Sequence, residues 1–137
     1  MDSSHEPNPQ SSHSAARERI NRTEVGRQGE AVASEYLSKH GFRILERNWR
    51  CRHGEIDLIC EVDETLVFVE VRSRTNPSKF GTAIEAVTPR KCRQVRETAS
   101  FYMKHHRQSE RSIRFDVVAV TFLTGLEPEL LHISNAF

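Results

Sequence analysis

Two short apolar runs, Gly54-Glu55-Ile56-Asp57-Leu58-Ile59 and Leu66-Val67-Phe68-Val69-Glu70-Val71-Arg72, carry carboxylates in places where a buried strand has no ordinary use for them. Both have the length and the Ile/Val/Phe/Leu content of strands, and the polar Val62-Asp63-Glu64-Thr65 between them is short enough for a hairpin turn. With Asp63 and Glu64 as the turn residues, Asp57 lies opposite Glu70 and Glu55 opposite Arg72, with cross-strand Cβ atoms about 4.5–5.5 Å apart. Asp-Glu is not the preferred Asn-Gly or Asp-Gly turn, and a longer loop would shift this register. Alternation is independent of the register: Leu66, Phe68, Glu70 and Arg72 share one face of the second strand, and Val67, Val69 and Val71 the other. An edge hairpin with solvated carboxylates, or simple pairing of Glu55 and Glu70 with Arg72, would explain the charges without chemistry. Apolar residues on both faces argue instead for an internal strand. There a carboxylate is costly unless it is paired or bound to a cation, so this end of the hairpin is a candidate divalent-metal site.

The chain has 137 residues, 36% hydrophobic and 28% charged, which suits one compact domain with an ordinary core. A net charge of +1 gives no global basic signature, so nucleic-acid binding has to be argued from local patches. Cys51, Cys60 and Cys92 are odd in number and lack a Cys-x-x-Cys pair, which argues against a disulfide scaffold and against a zinc knuckle. No apolar run is long enough to span a bilayer and no signal region opens the chain, so a cytoplasmic location is expected.

Residues 1–21 are rich in Ser, His, Pro, Asn and charge, and are expected to be a disordered tail ahead of a domain over 22–137. From Thr23, a candidate cap, Val25, Gly29, Val32, Tyr36 and Leu37 recur at helical steps until Gly41 stops the helix. Gly26 and Gly29 fall near its expected start, and Glu30 lies at the edge of its inward stripe. A strand over 42–51 leads into the acidic hairpin, making a three-strand meander. The segment 72–81 reads as a basic loop and 83–87 as a short helical turn. Thr88-Pro89 then caps a helix to about His106, with Val95, Ala99, Tyr102 and Met103 inward. Its other face carries Arg90, Lys91, Arg93, Arg96, Lys104 and Arg107 as a basic stripe. Residues 113–122 form an internal strand, reached by a right-handed parallel crossover. Asp116 near its start is expected to be a hydrogen-bonded structural residue, and 130–133 a short edge strand.

Carboxylates from a helix and two adjacent strands, beside a cationic side chain, are what a Mg²⁺-dependent phosphodiester hydrolase needs, since hard oxygen ligands hold the ion. Asp57 followed by Glu70-Val71-Arg72 resembles the Asp…(Asp/Glu)-x-Lys core of the PD-(D/E)XK nuclease superfamily. More closely, Gly26-x-x-Gly29-Glu30, Gly54-Glu55-Ile56-Asp57-Leu58-Ile59, Val67-Phe68-Val69-Glu70-Val71-Arg72, Ala86-Val87…Lys91 and Arg114-Phe115-Asp116-Val117-Val118, in this order, resemble the YraN-like endonuclease family over roughly 24–137. The resemblance implies an α/β fold like that of archaeal Holliday-junction resolvases, with a mixed central sheet flanked by helices around a restriction-endonuclease-like core. It implies Glu30, Asp57, Glu70 and the carbonyl of Val71 as ligands of Mg²⁺ (or Mn²⁺). The departure is Arg72 where the pattern has lysine: arginine keeps its proton and clamps phosphate but cannot act as a general base. Lys91, with Gln94 one turn on, is a candidate for a displaced lysine, and also reads as one cation among many on a solvated face.

The leading expectation is a metal-dependent endonuclease on DNA, branched DNA included, with Asp57, Glu70, Arg72 and Lys91 catalytic. Arg72, Arg74, Lys79, Arg90, Arg93 and Arg96 would contact phosphates. The alternative is a nuclease-fold protein that binds nucleic acid without cutting. A small-molecule phosphodiesterase is disfavoured, because Gly26-x-x-Gly29 is a weak phosphate signal. No membrane partner is expected, and a homodimer stays open. Trp49 is able to stack on a base, although a strand tryptophan more often belongs to the core or its rim.

Overall fold

In a computed structural model of the protein, the described residues are 9–75 and 87–137, with side chains from Thr23 onward. The elements are α1 (Pro9–Lys39), β1 (Arg43–Cys51), β2 (Gly54–Val62), β3 (Thr65–Arg74), α2 (Pro89–His105), β4 (Ile113–Thr121) and β5 (Glu129–Ile133). They build a mixed five-stranded sheet in the order β1-β2-β3-β4-β5, in which β3 and β4 run parallel and the other neighbours antiparallel. The crossover containing α2 makes the parallel pair, since two parallel neighbours cannot be joined by a tight turn.

The β2–β3 hairpin has the register that the Asp63-Glu64 turn demands, from Val62↔Thr65 to Leu58↔Val69. Both turn residues take positive φ, 51° and 82°. That is the backbone of a twist-matched two-residue turn, entered here without glycine. Arg111 Nη2 donates to the Glu64 carbonyl at 2.8 Å and steadies it.

Each face of the sheet is closed by one helix. Ile59, Leu66, Phe68 and Phe115 pack against Val95, Ala99, Tyr102 and Met103 of α2. Leu58, Cys60, Val67, Val69, Val118 and Val120 pack against Ala33 and Leu37 of α1. Each fully buried Leu, Val or Phe contributes about 1.5–3 kcal/mol, so both faces are strongly fixed and a one-residue slip of β3 is excluded. Glu70, in step with Leu66 and Phe68, therefore projects toward α2.

Two expectations need correction. The N-terminal helix starts at Pro9 rather than Thr23, so of the expected tail only 1–8 lies outside the described residues. Ser14-Ala15-Ala16-Arg17-Glu18-Arg19 is a run of adequate to good helix formers that outweighs the polar composition. Thr23 thus lies within the helix rather than at its start, and Gly26-x-x-Gly29 sits inside a helix, where no free N–H groups await a phosphate. Gly29 serves packing: a Cβ there would lie 1.7 Å from Ser73 Oγ and 2.8 Å from Ser73 Cβ. Of the basic loop expected over 72–81, Arg72, Ser73 and Arg74 belong instead to β3, and 76–81, like the short helical turn expected over 83–87 apart from Val87, lies outside the described residues. The Thr88 cap forms as expected, its Oγ1 accepting the Lys91 N–H at 3.2 Å ahead of Pro89.

Candidate active site

The ladder between β2 and β3 is regular to Leu58↔Val69, and there it changes character. The next inward N–H, that of Val71, donates to the Asp57 carboxylate (Oδ2) at 2.8 Å rather than to a backbone carbonyl. A strand residue sends its N–H and C=O to the same edge, so the carbonyl of Val71 is directed into this gap as well. Asp57 therefore fills a local opening in the sheet.

Glu70 stands beside it, 5% exposed, close enough for its charge to act on Asp57. Burial, and secondarily the charge of Glu70, pushes Asp57 up to about 7. Burial also raises Glu70, against the opposing pull of Lys91 and Arg72. Both groups thus resist ionisation in the free protein, and a cation bound by both would favour their charged forms.

Both candidate cations reach the same carboxylate oxygen. Arg72 Nη2 is 3.6 Å and Lys91 Nζ 3.8 Å from Glu70 Oε1, one from β3 itself and the other from the first turn of α2. Lys91 lies in the first turn of α2, so the positive end of that helix dipole is on this side of the pair. Arg72, Thr88, Arg90, Lys91, Arg93, Gln94 and Glu97 line a cleft of about 560 Å³ beside the pair. Gly54 lets the cleft wall close up, since a Cβ at that position would lie 2.8 Å from Gln94 Nε2.

Glu30 comes to the gap from the α1 side and stands off from the other two. Burial raises its pKa, a hydrogen bond with Asn48 lowers it, and the charges of Asp57 and Glu55 raise it. Among the described residues no three His, Cys, Asp or Glu side chains lie close enough together to hold a metal ion. The expected three-carboxylate set is thus assembled as a pair plus one, because Asn48 retains Glu30 and the Val71 N–H retains Asp57. In donor chemistry the pair, the Val71 carbonyl and Glu30 suit a hard divalent cation, which takes oxygen ligands.

The expected basic surface divides. Arg90 and Arg93 line the cleft, but Arg96 lies over the Phe115 ring at 5.6 Å and borders a different cavity with Lys104 and Arg111. Arg96 lies only about 60° round the helix from Arg93 but nearly one turn further along it, at the level of Phe115. Arg74 Nε donates to Thr121 Oγ1 at 3.0 Å, at the far side of β3 from Asp57, and Lys79 lies outside the described residues. A larger cavity, about 670 Å³, lies at the other end of β2, where Glu61 is already paired to Arg43 at 3.0 Å and to Arg111 at 2.7 Å. Asn48 is the site residue that the sequence reading misses. Its signal is an asparagine within a strand, at φ 51°, a conformation that asparagine tolerates better than most residues.

Asp116, expected to be structural, is fully buried and accepts from Arg114 Nε and Nη2 at 2.9 Å each, His132 Nε2 at 2.7 Å and the Asn135 N–H at 3.0 Å.

The sequence pattern that defines uncharacterised protein family UPF0102 matches residues 29–120. Similar proteins include a UPF0102 protein of Anaeromyxobacter dehalogenans, 51% identical over 116 residues that make up 85% of each chain. One from Syntrophomonas wolfei is 45% identical, covering 83% of this chain and 97% of the relative. Another, from Geobacter metallireducens, is 44% identical over 82% and 91% of the two chains. The matched span runs from Gly29-Glu30 through Asp57, Glu70 and Lys91 to β4, and the chain belongs to the UPF0102 family, the YraN-like group related to PD-(D/E)XK nucleases.

Proposed function

We propose that this protein is a divalent-metal-dependent endonuclease acting on DNA, with Asp57 and Glu70 as its central residues. The observation that carries the reading is the buried Glu70 beside the half-buried Asp57, with Lys91 and Arg72 at Glu70 and a basic cleft alongside. Asp57, Glu70, the Val71 carbonyl and Glu30 would hold Mg²⁺ or Mn²⁺. A bound ion of this kind supplies Lewis acidity and an activated water for phosphodiester hydrolysis.

The chain's own residues do the rest. Arg90 and Arg93, with the N-terminus of α2, attract and seat the phosphate backbone. Arg72 holds a fixed positive charge against the scissile phosphate, where charge accumulates in the transition state. Lys91, partly buried and beside Glu70, stands where a proton-handling lysine is needed; Gln94 keeps that cleft wall close to Gly54. Family membership supports a nuclease-like protein; a cytoplasmic location is part of the proposal.

The test is cleavage of branched, flapped, duplex and single-stranded DNA in a Mg²⁺ or Mn²⁺ titration with a chelator control. Calorimetry with Mn²⁺ accompanies it: Asp57→Ala and Glu70→Ala should each lose binding, and unchanged affinity in both removes the site. Lys91→Ala should lose cleavage while keeping Mn²⁺ and most DNA affinity. If Arg72 alone does the essential work, Arg72→Ala abolishes cutting and Lys91→Ala is mild. Arginine in the lysine position supports a second reading, a binding protein with a nuclease fold; a wild type that binds DNA and cuts no substrate in any metal selects it.

A further inference from the structure

On α2, Lys91, Gln94, Phe101 and His105 succeed one another at steps of three, seven and four residues, each close to whole helical turns, and so lie along one side of the helix. The row begins 3.8 Å from Glu70 and reaches His105 about 21 Å further on, at 1.5 Å per residue. Its outer half is aromatic. The Phe101 ring is parallel to that of His105, with centroids 6.2 Å apart and planes within 8°. His53, the residue before Gly54 in the β1–β2 turn, brings its ring to 5.4 Å from Phe101, and Trp49 stands 6.2 Å behind.

From this side of the helix the core takes Thr98, which is fully buried, and leaves the outer half of the row unused. Tyr102 and Met103 supply the inward packing and Trp49 seals its rim, whereas Phe101 and His53 stay partly exposed and His105 is exposed. Exposed Arg52 adjoins His53 and exposed Lys104 adjoins His105, with Glu97 the carboxylate at the inner end of the row. Flat rings between cations match the two halves of a single-stranded nucleic acid, bases that stack and phosphates that seek positive charge. Continuity through Gly54 and Gln94 joins this strip to the cleft.

We infer that the His53–Phe101–His105 strip stacks unpaired bases, so that the preferred substrate is a duplex with a single-stranded arm leaving the candidate site along α2. This rests on the nucleic-acid reading above and specifies its substrate class.

The test uses the full chain in chelator, where nothing is cut, and fluorescence anisotropy with three DNAs: a blunt duplex, the same duplex with a short single-stranded tail, and one whose tail is abasic. The wild type should bind the tailed duplex about tenfold or more tighter than the blunt one, with the gain absent from the abasic tail. Phe101→Leu combined with His53→Ala, which retains apolar volume against Trp49, should abolish the gain and leave blunt-duplex affinity unchanged. Equal binding of tailed and blunt DNA by the wild type, an undiminished gain in the variant, or a gain that persists on the abasic tail overturns the inference. Cleavage or blunt-duplex binding without tail preference overturns it alone, whereas a wild type that binds none of the DNAs overturns the nucleic-acid reading with it.

Discussion

Asp116 and the Asp57/Glu70 pair are buried carboxylates on adjacent or nearby strands of one sheet, and the chain treats them in opposite ways. Asp116 receives four hydrogen bonds, two from the Arg114 fork. Burial pushes its pKa up, but the bonds from His132, Arg114 and the Asn135 N–H outweigh it and hold the group at about 2. Asp57 receives one backbone N–H and faces a second carboxylate, and burial raises it to about 7. The first charge is completed by the fold. The second is left for something outside the chain to complete, which is how a structural acid differs physically from one kept ready for a ligand.

The contrast is breakable at both ends, and the largest effect is expected at the satisfied one. Asp116→Ala leaves Arg114 and His132 facing an apolar void, and urea denaturation at pH 7 should record a loss of about 3–5 kcal/mol. Because Asp116 is lowered in the folded state, its stabilisation is full above about pH 4 and disappears as pH falls toward 2. A loss below 1 kcal/mol would mean that the two sites are not so different.

A divalent cation is the next largest lever. Mn²⁺ at a hundred times its dissociation constant should stabilise the wild type by about 2.7 kcal/mol at pH 8, and should not stabilise Asp57→Asn. Metal-free, the sign for Asp57 is the reverse of that for Asp116. Its raised pKa means that the unfolded chain ionises first, so native stability falls as pH rises from about 4 to about 7. Asp57→Asn keeps an oxygen for the Val71 N–H and should raise stability by about 2 kcal/mol at pH 8, the gain vanishing near pH 4 in paired thermal melts. Destabilisation at both pH values would place Asp57 with Asp116. Glu30, partly exposed and already bonded to Asn48, is intermediate: Glu30→Gln should change stability by less than about 0.5 kcal/mol while weakening Mn²⁺ binding in calorimetry.

Period-two alternation and a two-residue turn were enough to specify the β2–β3 register and the face that Glu70 occupies, because burial on both sides of β3 leaves no slack for slippage. The Thr88-Pro89 signal likewise marks the start of α2 correctly, since cap chemistry is local. The true start of α1 was hidden, as composition alone does not separate a polar helix from a polar tail. Equally hidden was the split of the α2 cations. All project from one helix, but whether a given arginine faces Glu70 or Phe115 depends on how α2 is rotated over the sheet, a tertiary property. Asn48 and the Val71 N–H escaped for a related reason: their roles arise where β2 parts from β3, and no spacing rule encodes that opening.

Gly29 also bears on the reach of Glu30. Helix and sheet touch at Gly29 with only the Ser73 side chain between their backbones, so on the helix side the missing Cβ acts as a spacer of zero thickness. The next residue along α1 is Glu30, and any atom added at position 29 lifts the helix at the point from which that carboxylate extends. The affinity of the gap for a cation is therefore adjustable from a residue that never meets the cation, by changing the thickness of a contact rather than the charge of a ligand.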